Sequence, residues 1–307
     1  MNKKIQIITG NKGFVGVNLL DYFTNTEKDV IGVSRNPRQN ELNYNTLSLD
    51  YLNKAESIIH LAGKAHDLKK TSEDAEYYQV NTELTKKIFD QYLNSECEVF
   101  IFMSSVKAAA DVVENVLTED VIPNPVSAYG KSKLAAENYI LSKEIPEGKR
   151  AYILRPCMIH GPNNKGNLNL LYNFVSKGIP YPFGKYRNKR SFVSVENLCF
   201  IINELIDNKK IKSGIYNIAD DMPLSTVNLV EIIGKVVGKP ARILSMPKFL
   251  VNSIAKIGDI LPLPINSERL QKLTENYIVS NQKIKNQLQK ELPLSAEKGI
   301  EKTIASF

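Results

Sequence analysis

Short apolar runs separated by helical stretches fill the first half of the chain, and this alternation restricts the fold more than any other feature. "KIQIITG" reads as a strand ending in Gly10, and "FVGVNLLDYFTN" follows with helical spacing. "DVIGVS", "SIIHLAG", "EVFIFMSS" and "RAYILRP" are further strands. Between them, "SEDAEYYQVNTELTKKIFDQYLN" reads as one long amphipathic helix and "SAYGKSKLAAENYILSK" as another. Apolar strands alternating with helices predict an α/β fold of the Rossmann type, a doubly wound parallel sheet covered on both faces. After Pro156 the pattern loosens into Pro- and Gly-rich stretches, "GIYNIAD" returns as a strand, and the remainder is mainly helical. The expected division is a nucleotide-binding part over residues 1–162, rejoined by about 192–219, and a smaller, mainly helical substrate part over 163–307.

At 307 residues the chain is long enough for one large domain or two closely joined ones. The net charge of +7 is spread without long basic blocks, so no nucleic-acid partner is expected. Cys97, Cys157 and Cys199 are odd in number and far apart, which fits neither a disulfide framework nor a metal motif and suggests the cytoplasm. His60, His66 and His160 are the only histidines, His60 reading as a packed strand residue, and no metal site is expected. The N-terminus enters a strand at once, so no signal peptide is expected. The apolar stretch "FLVNSIAKIGDILPLPI" is too interrupted by Lys256, Asp259 and prolines to span a bilayer. It reads as an amphipathic helix packed on the body of the protein.

"TGNKGFVG" places Gly10, Gly13 and Gly16 at the first strand-to-helix junction. Glycine there permits a tight turn and close approach of a pyrophosphate, which the helix N-terminus then attracts. The spacing is G-x-x-G-x-x-G, and its place directly after the first strand points to a dinucleotide. At the end of the second strand, NAD enzymes commonly present an acid to the ribose 2′-hydroxyl, whereas an arginine suits the 2′-phosphate of NADP. Val33-Ser34-Arg35-Asn36 stands there, with no acid at the tip, so NADP(H) is favoured and NAD(H) remains open.

Three Tyr-x-x-x-Lys pairs occur, at Tyr129–Lys133, Tyr139–Lys143 and Tyr181–Lys185. Such a pair can move a proton while a nicotinamide moves a hydride. Tyr181 lies between Pro180 and Pro182, where no regular helix forms. Tyr139, ten residues beyond Tyr129, points about 80° away on the same helix. Tyr129 and Lys133 begin that helix on one face, 24 residues after Ser105 at the end of a strand, where an α/β sheet opens its ligand crevice.

The glycine pattern, "SIIHLAG", the serine pair and "SAYGKSK" resemble the extended short-chain dehydrogenase/reductases, the NAD-dependent epimerase/dehydratase family. "HLAGKAH", "SSVK" and "KYRNKRSFVSVENL" are most similar to bacterial enzymes acting at C4 of UDP-N-acetylhexosamines and their 4-keto-6-deoxy derivatives. The resemblance implies that Tyr129 is the catalytic tyrosine and that Lys133 binds the nicotinamide ribose and lowers the tyrosine's pKa. It implies that Ser105 bonds the C4 oxygen, with Ser104 beside it. Phe14, Val15, Leu61, Ala62, Gly63 and Pro156 would join the glycines around the cofactor, Asp50 would contact adenine, and Asn81 would lie buried next to the cofactor. Asn167 and Arg190 would hold the substrate's diphosphate, Arg269 is a second arginine for it, and Lys107 would reach the substrate.

There are departures: Ala109-Ala110, Pro156-Cys157-Met158 and His160-Gly161-Pro162 stand where the family often has Tyr-Gly, an asparagine and Tyr-Gly-Pro. These bear on the sugar rather than on hydride transfer. The implied activity is NADPH-dependent reduction of a UDP-4-keto-6-deoxy-N-acetylhexosamine, for surface polysaccharide. A UDP-sugar 4-epimerase with bound NAD is the alternative, and a non-catalytic NADP sensor or RNA-binding protein of the same fold belongs to another class. A homodimer is implied by resemblance alone.

Overall fold

The computed structural model describes residues 5–64, 73–164, 166–261 and 266–307. Ala65 and His66 of "HLAGKAH" fall outside them. The first part runs β1 (Ile5–Thr9), α1 (Phe14–Asn25), β2 (Asp29–Val33), α2 (Leu49–Leu52), β3 (Ala55–His60), α3 (Asp74–Tyr77), α4 (Leu84–Leu93) and β4 (Val99–Met103). It continues through β5 (Val116–Leu117), α5 (Ala128–Leu141), β6 (Arg150–Pro156), β7 (Met158–His160), α6 (Asn167–Ser176), β8 (Phe192–Ser194), α7 (Val195–Asp207) and β9 (Gly214–Ile218). The chain ends with α8 (Thr226–Val237), α9 (Lys248–Gly258), α10 (Ser267–Thr274), β10 (Ile278–Val279), α11 (Gln282–Leu288) and α12 (Ala296–Ile304).

Six strands form a parallel sheet in the order β2-β1-β3-β4-β6-β9. All five residues of β4, Val-Phe-Ile-Phe-Met, are buried, as a strand covered on both faces requires. On one face Leu19 and Phe23 of α1 pack with Leu198, Ile201, Ile202 and Leu205 of α7. On the other, Ile88, Phe89 and Tyr92 of α4 pack with Ala136 and Ile140 of α5. A third apolar cluster joins α6, α8, α9 and α12. The chain leaves β1 for β2 on one side and pairs with β3 on the other, so the crevice at the carboxyl ends of β1 and β3 is the sheet's switch point.

One local reading needs correction. The long helix expected over "SEDAEYYQVNTELTKKIFDQYLN" is broken by a π-helical turn over Tyr78–Glu83. Side-chain periodicity does not reveal such a turn, which rotates Asn81 into the interior. The stretch beginning at Phe249 forms α9, the expected amphipathic helix, and packs on the body through Val251 and Ala255, 2% and 1% exposed.

Candidate active site

The glycine loop sits at the switch point. Gly10 adopts a φ of +69°, and a Cβ there would lie 2.8 Å from the Ala62 amide nitrogen. Only glycine accommodates both that conformation and that approach. Leu61 donates its amide to the Thr9 carbonyl at 3.2 Å, so Leu61–Gly63, after β3, run beside the loop after β1. α1 begins at Phe14 with Gly13 as its cap, with no side-chain hydrogen bond at that cap and no acid in its first turn. Phe14 and Val15 are partly buried there and Gly16 is buried. An uncapped helix start beside a glycine turn suits an anion, so these residues fit a dinucleotide pyrophosphate.

At the end of β2, Arg35 is exposed and near enough to Tyr44 to pull its phenol down against the larger, opposing effect of burial. Sequence reading missed Glu41 here. Leu42 returns to β2 through amide bonds that pair it with Gly32 and Ser34, and this brings Glu41 alongside. Burial raises the Glu41 carboxyl, yet the Arg38 amide, Lys12 and Asn11 outweigh it and hold the group below its usual range. Its oxygens accept from the Arg38 amide at 2.7 Å and the Asn11 amide group at 2.9 Å, with the Lys12 ammonium at 3.2 Å. Asp50 lies exposed in the first turn of α2.

The catalytic candidates meet at the start of α5. Ser127 caps the helix, its Oγ accepting the Gly130 amide at 3.2 Å. Asp111 clamps the preceding segment: its carboxylate accepts the Val126 and Ser127 amides at 2.6 and 3.1 Å and the Ser127 hydroxyl at 3.2 Å. A Cβ on Gly130 would stand 2.3 Å from the Lys107 carbonyl oxygen, so α5 approaches the 3-10 turn Val106–Ala108 as closely as backbone permits. This contact brings the Tyr129 hydroxyl to a hydrogen bond with Ser105. Ser105 Oγ also accepts the Lys107 amide at 3.2 Å.

Lys133 is 3% exposed and donates to the Met103 carbonyl at 2.8 Å, with its Nζ 4.8 Å from the Phe102 ring centroid. Burial pulls its pKa down to about 8, and the Glu137 carboxylate one turn on opposes that. A Cβ on Gly63 would lie 2.9 Å from Lys133 Nζ and 3.0 Å from Asn81 Oδ1, so three cofactor candidates converge on one space. Asn81 Oδ1 accepts the Lys64 amide at 2.8 Å, and its Nδ2 donates to Ser132 Oγ at 3.0 Å, joining the loop after β3 to α5. The expected depression of the Tyr129 pKa does not appear. Burial pushes the phenol up, Ser105 pulls it down, and the nearby Tyr77 pushes it up again. The Lys133 ammonium is instead spent on the Met103 carbonyl.

Behind these groups lies a buried network that sequence reading missed. Glu137 accepts from Ser104 Oγ, and Arg155 Nε bonds both of its oxygens at 3.0 and 3.1 Å. Glu137 is 0% and Arg155 1% exposed. Its four-residue spacing from Lys133 was a usable signal for Glu137; nothing local pointed to Arg155. His60 is indeed a packed strand residue, stacked on Phe100 and Phe102. Thr85 gives its hydroxyl proton to the Asn81 carbonyl at 2.7 Å, so it accepts from His60 Nε2 at 3.0 Å. Thr9 Oγ1 therefore donates to Nδ1 at 2.7 Å and accepts the Ala62 amide at 3.3 Å. Burial, with Lys133 second, drops the His60 pKa to about 3 and keeps this relay neutral.

The substrate candidates are more dispersed. Lys107 turns its ammonium to the Asp111 carbonyl at 2.7 Å, 4.5 Å from the Tyr277 ring centroid. Tyr277, which no motif singled out, donates to the Ala110 carbonyl at 2.6 Å and pairs its backbone with Arg190. It thus connects the turn after Ser105 with the segment of Arg190. The Arg190 guanidinium lies 3.8 Å from Glu275. Arg269 is exposed on α10 and Asn167 opens α6, its side chain outside the described residues. Pro156 is buried at the end of β6. The other two Tyr–Lys pairs lie elsewhere: the Tyr139 hydroxyl donates to Asp90 at 2.7 Å, and Tyr181 is buried in the third apolar cluster. Among the described residues there is no group of three His, Cys, Asp or Glu able to hold a metal. Nor is any helix among them long and apolar enough to cross a membrane.

Comparisons with known proteins agree with this architecture. A UDP-glucose 4-epimerase of Vibrio cholerae is 29% identical over 317 aligned positions, covering 98% of this chain and 94% of that protein. A solved UDP-N-acetylglucosamine 4-epimerase from Bacillus cereus superposes with a TM-score of 0.74 at 19% identity, covering 98% of this chain and 95% of the other. RMD from Pseudomonas aeruginosa, solved with NADPH, gives 0.72 at 19% identity, covering 99% and 98%. At such identities the two structures speak for the fold alone. The NAD dependent epimerase/dehydratase family matches residues 6–219. With its parallel six-stranded sheet, the protein belongs to that family of extended short-chain dehydrogenase/reductase enzymes.

Proposed function

We propose that the protein is an NADPH-dependent reductase acting at C4 of a UDP-4-keto-6-deoxy-N-acetylhexosamine. The observation that carries the reading is the end of β2, where Arg35 is exposed while the adjacent acid, Glu41, is already committed to Lys12, Asn11 and the Arg38 amide. A guanidinium beside an occupied carboxylate suits a 2′-phosphate better than a bare 2′-hydroxyl. When bound, the nicotinamide supplies the hydride. Tyr129 supplies the proton to the C4 oxygen, and Ser105, hydrogen-bonded to the Tyr129 hydroxyl, bonds the same oxygen. Lys133, charged below about pH 8, holds the ribose, and the Ser105 hydrogen bond favours the phenolate left when Tyr129 gives up its proton. Arg190, with Asn167 and Arg269, binds the diphosphate, displacing Glu275 from Arg190.

A second reading, a 4-epimerase that retains NAD, is favoured by the near full-length likeness to the Vibrio cholerae epimerase. One assay separates the two. NADPH absorbance should fall in step with consumption of the 4-keto sugar, and the protein should purify largely free of nucleotide. Interconversion of UDP-GlcNAc and UDP-GalNAc without added NADPH would overturn the reductase in favour of the epimerase. Arg35→Ala should weaken NADPH roughly ten- to a hundredfold and NADH little, as expected for loss of one charge-assisted contact.

A further inference from the structure

We infer that α9 is a docking helix for an anionic membrane surface. Phe249, Leu250, Ile254 and Ile257 are exposed along it, Phe249 to 67%. The helical phase continues past its end, since Leu261 donates its amide to the Ile257 carbonyl at 2.9 Å, and there Ile260 is 86% exposed and Leu261 also stands out. At about 100° per residue these six side chains cover an arc of roughly 140°, with Val251 and Ala255 on the opposite, buried side. An apolar arc of this width on a helix that already has its packing face is surplus to folding.

The charge around it selects the occupant. α9 is held from its polar flank, where the Tyr186 hydroxyl donates to Asn252 at 3.3 Å and Lys248 Nζ lies 5.3 Å from the Tyr186 ring centroid. Tyr186 belongs to "GKYRNKR", which contributes exposed Lys185, Arg187 and Lys189 and no acid. Lys248 and Lys256 are exposed on α9, Lys256 at the edge of the apolar arc and Lys248 on the side of Val251 and Ala255. The nearby Asp259 accepts from the Ser267 amide and hydroxyl at 2.9 and 2.6 Å and keeps its charge, but it falls outside the apolar arc, toward the side of Ala255. A second copy of the chain pairing symmetrically through this face would bring like charges together. A bilayer containing anionic phospholipid offers both an apolar layer for the six side chains and phosphates for the flanking cations.

Flotation of the full-length protein with phosphatidylcholine vesicles, with and without a third of phosphatidylglycerol, tests this. The protein should float with the anionic vesicles, bind pure phosphatidylcholine weakly, and lose binding as salt rises. Phe249→Glu and Ile257→Glu should each lower the partition at least about tenfold, since burying one such side chain is worth roughly 1.5–3 kcal/mol. Unchanged circular dichroism melts would show that the variants remain folded. Absence of binding to anionic vesicles would overturn the proposal, as would binding that both substitutions leave intact. It would equally be overturned by light scattering that shows a dimer without vesicle binding, which Ile257→Glu splits into monomers.

Discussion

α5, of 14 residues, and α9, of 11, are attached to the protein in opposite ways. α5 is fixed by polar bonds at each turn of its inner face: Ser127 and Asp111 at its start, Ser132 to Asn81, Lys133 to Met103, and Glu137 to Ser104 and Arg155. α9 starts from Pro247 with no side-chain cap, is held by Val251, Ala255 and the Tyr186 contact, and shows an apolar face outward. The proton transfer proposed for Tyr129 would tolerate little displacement, and the helix bearing Tyr129 and Lys133 is held accordingly. A helix that meets a fluid partner needs only an anchored back and a suitable front.

The sharpest test of this contrast is Tyr129→Phe. Removing a positioned acid should lower kcat by roughly 10²–10⁴-fold. Because its hydroxyl bonds Ser105 rather than the frame, the melting temperature should barely move. Tyr139→Phe, which loses only the Asp90 contact, should leave kcat within a fewfold; the reverse ranking would relocate the acid.

Glu137→Gln should act on the frame itself. It leaves the buried Arg155 without its counter-charge, and breaking such pairs costs about 3–5 kcal/mol. Chemical denaturation would measure that loss. The change also removes the group that props up the Lys133 pKa. Reduction should decline as pH rises through about 8, where Lys133 loses its proton, and in Glu137→Gln the decline should start at lower pH. An unshifted pH profile would separate Glu137 from the chemistry and leave it a packing residue.

Gly130→Ala should cost about 1–3 kcal/mol, as overpacking against an immovable backbone does, because the new methyl would meet the Lys107 carbonyl. Its kcat should fall more than its stability suggests, as Tyr129 is pushed off Ser105. Ile254→Ser sits at the other extreme. On the outward face of α9 it should change stability by less than about 0.5 kcal/mol. A large loss would mean that this face is covered within the chain.

Much of the architecture is legible in the sequence, since strand and helix periodicities differ and buried parallel strands are apolar throughout. "KIQIITG" and "EVFIFMSS" read correctly for that reason. The choice of Tyr129–Lys133 among three pairs rested on helix phase and on distance from a strand end, both local quantities. What escaped was long-range or depended on which side is covered. Asp111 lies 15 and 16 residues from the amides it clamps, Arg155 is 18 from Glu137, and Tyr277 is 167 from Ala110. No spacing announces such partners. The amphipathicity of α9 was readable, but a periodic pattern cannot say whether the body of the protein or something else meets the apolar side.

The Asp111 clamp has a consequence for how such a protein can diverge. Residues 112–125 make an excursion whose two ends are tied together at the base, by Asp111 on Val126 and Ser127 and by the Asn124 amide on the Ala109 carbonyl at 2.8 Å. Within it Leu117 is buried and pairs with β10, and Pro125 packs beside Gly130, so only its exposed positions, such as Val112 and Ile122, can change without being transmitted to Tyr129. Lineages can vary those exposed positions while keeping Tyr129, the proposed acid, in place, so descendants can drift apart in what they accept and remain alike in what they do to it.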